Sequence, residues 1–499
     1  MSTVSPAAEV LTVSNPITGE QVGRVPVMTA AMVAELAAEA RAAQPAWAAL
    51  SVRARGRLLQ RWTDRLWEDR DTLYAIIRAE TGKVTGGGFA EHAVIDNVVH
   101  YYARRAPGLL ADQSRRVTFH LRQHARVVFH PLGVVGFITP WNYPLLNGLI
   151  DAIPALIAGN AVLIKPSELT PFTAAYAVAL MHEVGIPPAV AQVVTGDGRT
   201  GEALIEVVDG LSFTGSSATG RKVAARAAER LIPCTLELGG KDPFIVLEDA
   251  DLEQAAAGAL RGAMENAGQA CVSVERAYVV DAVYEDFIEC LLALAQGFEV
   301  GNGDGYDLHM GSMAGERELA RTEAHIAEAV AAGAQLLVGG RRRPDLGPRF
   351  LEPAIVVNTD HSMRIMREET FGPVLAVMRV RDAEEAVELA NDSDYGLSAT
   401  IYTRNLKRGE ALARQLQCGD VGINQPQLIF GTPSLPMGGV KSSGVGRRGG
   451  PEGLMRFVST QSILTDRLIG VRPELAQHNP TTRQLYTLLR RARTFAPWL

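Results

Sequence analysis

Gly133-Val134-Val135-Gly136-Phe137-Ile138-Thr139-Pro140-Trp141-Asn142-Tyr143-Pro144 decides the fold class. An apolar run proceeds without polar interruption and then stops at a turn flanked by two prolines. Such a run reads as a strand buried on both faces, as in parallel sheets. Working outward, Ala161 to Lys165 is a second strand and Ala191 to Thr195 a third, with a helix at Pro171 to Val184 between them. Leu204 to Val208 begins a helix, Gly210 to Phe213 is a short strand, Gly220 to Glu229 a helix and Pro233 to Leu236 a strand. Strands alternating with helices predict a doubly wound parallel sheet.

After Gly240 the alternation resumes. Strands are expected at Phe244–Leu247, Ala277–Val280, Gln335–Val338 and Ala399–Tyr402. Helices are expected at Leu252–Glu265, Val283–Leu294, Arg317–Ala332 and Ala383–Ala390. This predicts a second α/β domain. Near the N-terminus, Thr29 to Trp47 and Val52 to Thr81 have helical spacing. Val117-Phe119-Leu121 and Val127-Phe129 alternate around Gln123-His124, which reads as a hairpin.

A chain of 499 residues is too long for one ordinary core. Its 47% hydrophobic and 21% charged content is globular, and a net charge of -6 argues against nucleic-acid binding. Four cysteines without CxxC spacing form no disulfide framework, which fits a reducing cytoplasm. Met1 to Pro16 has no signal-peptide pattern. Leu145 to Ile164 is apolar, but Asn147, Asp151, Pro154 and Asn160 exclude a membrane span. No Cys/His metal spacing occurs, so no metal site is expected.

Three runs carry chemistry. Glu265-Asn266-Ala267-Gly268-Gln269-Ala270-Cys271 supplies a thiol after a polar, glycine-containing loop. Leu236-Glu237-Leu238-Gly239-Gly240-Lys241 supplies a carboxylate, and Asn142 a side-chain amide in a rigid turn. A thiol, a donor and a base are what trapping an aldehyde, holding its oxyanion and activating water require. Taken singly, each has a structural reading: a buried cysteine, an ion-pair partner, an Asx turn. Gly196-Asp197-Gly198-Arg199-Thr200-Gly201 matches GxGxxG, yet alone it is equally a strand-to-helix turn. Phe213-Thr214-Gly215-Ser216 at a helix start is a competing anion site. Lys165-Pro166-Ser167-Glu168 follows a strand, where Lys165 and Glu168 could reach ribose hydroxyls or form a solvated turn.

In this order, and with Glu368-Glu369-Thr370-Phe371-Gly372-Pro373 added, the runs resemble the NAD(P)-dependent aldehyde dehydrogenase superfamily over roughly Asn15 to Gln461. The resemblance implies that Cys271 is the nucleophile, Glu237 the base for deacylation, and Asn142 with the Cys271 N–H the oxyanion hole. It implies a cofactor site over Ile138, Thr139, Pro140, Trp141, Asn142, Lys165, Ser167, Glu168, Gly198, Phe213, Thr214, Gly215, Ser216, Glu237, Leu238, Gly239, Cys271, Glu369 and Phe371. NAD is the expected cofactor, because Glu168 would repel a 2′-phosphate, with NADP the second candidate. A non-catalytic relative or a CoA-acylating enzyme is the alternative; intact Asn142, Glu237 and Cys271 argue against both.

The family fold implies a Rossmann-like cofactor domain at 1–112 and 132–239 and a catalytic domain at 240–450. It also implies an oligomerisation element at 113–131 and 451–468, giving a homodimer or homotetramer, with a tail at 469–499. The substrate is expected to be an aliphatic aldehyde or a semialdehyde, succinate semialdehyde included. No arginine near Cys271 stands out as a carboxylate clamp, and Leu145, Leu146, Leu428, Ile429 and Phe430 would suit an apolar aldehyde. Glu265 would disfavour an anion if it faces the tunnel. From Leu475 the tail combines Arg483, Arg490, Arg491 and Arg493 with Leu485, Leu488, Leu489, Phe495 and Trp498. It is read as a helix docked on protein rather than on a membrane.

Overall fold

Val134–Ile138 lies at the centre of a six-stranded sheet, in a computed structural model that describes residues 9–117, 123–427, 430–466 and 480–495. The strand order is Gly444–Val445, Cys234–Glu237, Gly210–Thr214, Val134–Ile138, Ala161–Lys165, Ala191–Val193. All neighbours run parallel except the edge strand Gly444–Val445. Four of these strands are buried along almost their whole length, which is why they read as unbroken apolar runs.

A second sheet of seven strands has the order Gln335–Val338, Ala354–Val357, Val374–Val380, Val274–Val280, Asp242–Val246, Ser398–Tyr402, Asp420–Ile423. Only the edge strand Gln335–Val338 is antiparallel. The doubly wound parallel expectation therefore holds for both sheets, with one antiparallel edge strand on each. Both belong to one compact unit, residues up to Ala106 and Pro131–Phe457. The chain leaves the first sheet at Glu237 and enters the second at Asp242.

Helices are held by local chemistry. Pro171 starts Pro171–Glu183, and the buried Glu80 carboxylate accepts from Phe172 N–H at 2.6 Å and Thr173 N–H at 2.8 Å. The stretch from Val52 to Thr81 divides into Val52–Glu68 and Arg70–Thr81 at Asp69. The helix expected to begin at Leu204 instead ends there: it runs Gly198–Ile205, capped by Asp197, whose carboxylate accepts from Arg199 N–H.

The other unit holds Pro107–His130 and the residues from Val458 onward. Its sheet is antiparallel, in the order Val458–Asp466, Gln123–Pro131, Gln113–Arg115. A hairpin is present, but Gln113–Arg115 pairs with Ala125–Val127, and Gln123 and His124, expected at its turn, open the second strand; Phe119 and Leu121 lie outside the described residues. Pro480–Phe495 is a helix; Leu475 and Trp498 of the tail lie outside the described residues. Among the described residues no helix is long and apolar enough to cross a membrane.

Candidate active site

Parallel pairing puts the ends of adjacent strands side by side. Ile138 pairs with Lys165 on one side and Phe213 on the other, and Thr214 pairs with Glu237. Five residues singled out from four motifs thus share the carboxyl edge of one sheet, where α/β folds bind ligands. Gly198 opens the helix after strand Ala191–Val193. Ser216 caps Ser217–Glu229, its hydroxyl accepting from Thr219 N–H at 3.3 Å. Ser167 Oγ is likewise used locally, by Leu169 N–H.

Cys271 reaches this edge from the second sheet. The loop before it is strained, since Asn266 and Ala267 have φ of 53° and 55°. Gly268 follows at φ 69°, and a Cβ there would run into the Gly372 backbone. A Cβ on Gly240 would stand 2.5 Å from the Cys271 carbonyl oxygen. The glycines of both motifs are therefore needed where two chain segments touch.

Asn142 is buried, and its Nδ2 donates to the Gln269 carbonyl at 2.9 Å, two residues before the thiol. The Asn142 carbonyl accepts from Lys83 Nζ at 2.8 Å and Asn266 Nδ2 at 2.9 Å. Lys83 is 2.5 Å from Glu91 Oε1 and 4.1 Å from the Tyr143 ring centroid. Glu91 Oε2 accepts from Leu145 N–H and Leu146 N–H, both at 3.0 Å. This buried ion pair braces the turn that carries Asn142. Neither partner was singled out from sequence, because Glu91 sits mid-helix and Lys83 in a short link.

Glu237 is 3% exposed, and neither carboxylate oxygen has a hydrogen-bond partner among the described residues. Burial pushes its carboxyl up to about 7, with Arg448 the first group opposing. Burial likewise pushes the Cys271 thiol up to about 12, again opposed first by Arg448. At neutral pH the resting sulfur is a thiol, and attack must remove its proton.

Cys271 lines a cavity of about 370 Å³. Its wall includes Tyr143, Leu146, Asn147, Val272, Tyr402 and Phe430, with Arg261 and Glu265 charged and 3.8 Å apart. Sequence reading singled out no arginine here; Arg261 lies one helical turn before Glu265 and reaches the wall from the same helical segment. Leu428 and Ile429 lie outside the described residues.

A dinucleotide fits the remaining groups. Lys165 Nζ is buried with the Pro166 carbonyl at 3.1 Å and Glu168 at 3.9 Å, leaving donor capacity for hydroxyls. Glu369 Oε1 accepts from Gly240 N–H at 3.0 Å, and burial pushes this carboxyl up to about 7. Phe371 packs edge-on against Trp141 with ring centroids 5.6 Å apart.

The aldehyde dehydrogenase family model matches residues 3–463. The chain belongs to the aldehyde dehydrogenase family. A Mycolicibacterium smegmatis protein provisionally named succinate-semialdehyde dehydrogenase (NADP(+)) is 41% identical over 92% of this chain and 89% of its own. A Methylomonas 4,4'-diapolycopene aldehyde oxidase is 40% identical over 91% of this chain and 85% of its own. The crystal structure of succinate-semialdehyde dehydrogenase from Burkholderia pseudomallei superposes with a TM-score of 0.88 at 36% identity, covering 92% of this chain and 95% of its own. The family expectation is met over nearly the whole chain, and this aldehyde dehydrogenase is an NAD(P)-dependent enzyme.

Proposed function

We propose that the enzyme oxidises an aliphatic aldehyde or semialdehyde to its carboxylic acid through a thioester on Cys271. One observation carries the reading: a cavity-lining thiol, a tethered amide and a buried carboxylate without a hydrogen-bond partner among the described residues converge from two sheets. Cys271 loses its proton and attacks the carbonyl carbon, and an Asn142 N–H with the Cys271 N–H holds the oxyanion. The residues assigned below would hold NAD(P)+, which when bound would supply the hydride acceptor that lets the Cys271 adduct become a thioester. Glu237 then takes a proton from water, whose oxygen displaces the sulfur and releases the acid.

Lys165, Ser167 and Glu168 would hold the adenosine ribose. The turn at Phe213, Thr214, Gly215 and Ser216 would hold the pyrophosphate, with Gly198 beside the adenine. Ile138 to Asn142, Leu238, Gly239, Glu369 and Phe371 would hold the nicotinamide half. Residues 1–112 and 132–239 form the cofactor domain and 240–450 the catalytic domain in this reading. The elements 113–131 and 451–468 make the contacts of a homodimer or homotetramer. Val458–Asp466 supports that assignment: it is an edge strand exposed along almost its whole length. Free cysteines fit a cytoplasmic location, and the tail docks on protein rather than membrane.

The test is steady-state turnover with an aldehyde panel, NAD+ and NADP+. Cys271→Ala abolishes NAD(P)H formation while Cys234→Ala and Cys418→Ala remain active. Comparable turnover in Cys271→Ala overturns the reading.

A further inference from the structure

Arg448 lies outside the groups assigned above, yet it is buried and connected to one of them. Its Nε and Nη2 donate to the two Asp151 carboxylate oxygens, both at 3.0 Å. Nη2 also donates to Thr214 Oγ1 at 2.9 Å. Asp151 is further held by Ser212 Oγ at 2.8 Å and Arg456 at 2.5 Å. Burial alone would raise the Asp151 carboxyl, but Arg448 and Arg456 more than offset it and hold it down to about 2. The guanidinium plane is therefore fixed by a two-point fork.

The remaining nitrogen, Nη1, donates to Asn147 Oδ1 at 3.2 Å. Asn147 Nδ2 donates in turn to Asn142 Oδ1 at 3.3 Å, and Asn142 Nδ2 to the Gln269 carbonyl at 2.9 Å. An arginine can only donate and a backbone carbonyl can only accept. The two amides between them consequently have one satisfied orientation. Turning Asn147 over would face its NH₂ to the guanidinium. Turning Asn142 over would face its carbonyl oxygen to that of Gln269.

We propose that Arg448, locked by Asp151, is a positioning residue that sets the Asn142 amide through Asn147, so that the second Nδ2 proton of Asn142 is presented to the oxyanion. This rests on the role proposed above for Asn142. It extends that role from a single side chain to a relay ending on a charge 306 positions away in sequence.

Arg448→Met can fail to fold, so Asn147→Leu carries the test; it leaves Arg448 and its charge in place. Three readouts are taken on the full-length enzyme: the pre-steady-state NADH burst rate at saturating aldehyde, KM, and the alkylation rate of Cys271 by iodoacetamide. Alkylation forms no oxyanion, so it reports the thiol and the folded site alone. The burst rate is expected to fall about 10- to 100-fold, the scale of a weakened oxyanion donor, with alkylation unchanged. In an Asn142→Ala background the Asn147→Leu change is expected to have no further effect. A change in KM alone, or an effect that adds fully to Asn142→Ala, overturns the relay. An undiminished burst in Asn142→Ala itself overturns the underlying role of Asn142 instead.

Discussion

Gly239 lies so close to Glu369 that a Cβ on it would stand 2.6 Å from the carboxylate Oε2. The same carboxylate accepts from the next residue's N–H, Gly240, at 3.0 Å. Gly239→Ala therefore displaces Glu369 and breaks that bond. A hydrogen bond from a cofactor hydroxyl to this carboxylate would contribute about 1.5–3 kcal/mol, so its loss is expected to raise the Kd for NAD+ about 10- to 100-fold. Fluorescence titration measures it; an unchanged Kd would remove Glu369 from the cofactor site.

Glu237 must be ionised to take a proton from water, and its carboxyl stands at about 7. Deacylation should be slow below that value and rise with pH through it. Glu237→Gln should show a burst of NADH, then turnover about 10²- to 10⁴-fold slower. Absence of the burst would instead assign Glu237 to thiol activation. The sign for stability is opposite: a carboxyl raised on folding favours the fold below its unfolded value and loses that contribution as pH rises through 7. Above neutrality Glu237→Gln should therefore unfold at a higher temperature than wild type.

Lys83 and Glu91 are both buried and 2.5 Å apart. Burial pulls the Lys83 ammonium below its ordinary value, with Glu91 opposing. Lys83→Met strands the carboxylate, which costs about 3–5 kcal/mol when one partner of a buried pair is removed. The double variant Lys83→Met/Glu91→Gln should lose less stability than the sum of the single changes in urea unfolding. Strict additivity would show that the pair does not couple.

Glu265 lines the cavity with Cys271, beside Arg261. Glu265→Gln frees Arg261 and removes a negative charge. The kcat/KM for succinate semialdehyde should rise relative to that for a neutral aldehyde of similar length. An unchanged ratio means the substrate does not meet this residue.

Glu168 is half-exposed and 3.9 Å from Lys165. Wild type should prefer NAD+ by kcat/KM, and Glu168→Ala should narrow the preference. Preference for NADP+ in wild type would refute the repulsion account, while an NAD+ preference untouched by the change would keep the outcome and remove its reason.

Strands buried on both faces were the most legible elements, because an unbroken apolar run such as Ala161–Lys165 has few other readings. Val374–Val380 and Ala354–Val357 carry the same signal and went unread. Thr85–Leu109 was hidden for a physical reason: Gly86, Gly87 and Gly88 open it, Pro107 sits near its end, and Glu91 and His92 are buried on its inner face. Polar residues facing inward break the apolar period that marks a helix. Cys271, Glu237 and Asn142 stood out because each sits in a short distinctive run. The pairing of Arg448 with Asp151 did not, since nothing local to either residue names a partner 297 positions away.

Four residues, 238–241, join the carboxyl end of one sheet to the amino end of the other. Fully stretched, the span from Glu237 to Asp242 reaches only roughly 17 Å. The edge strand Gly444–Val445 then crosses back and pairs beside Glu237. The outward crossing is short, and the return strand ties the two sheets at a second point, although residues 424–443 lie between Ile423 and Gly444. Catalytic tempo is therefore expected to respond to the bore of the cavity at Cys271 more than to any swing of one half against the other.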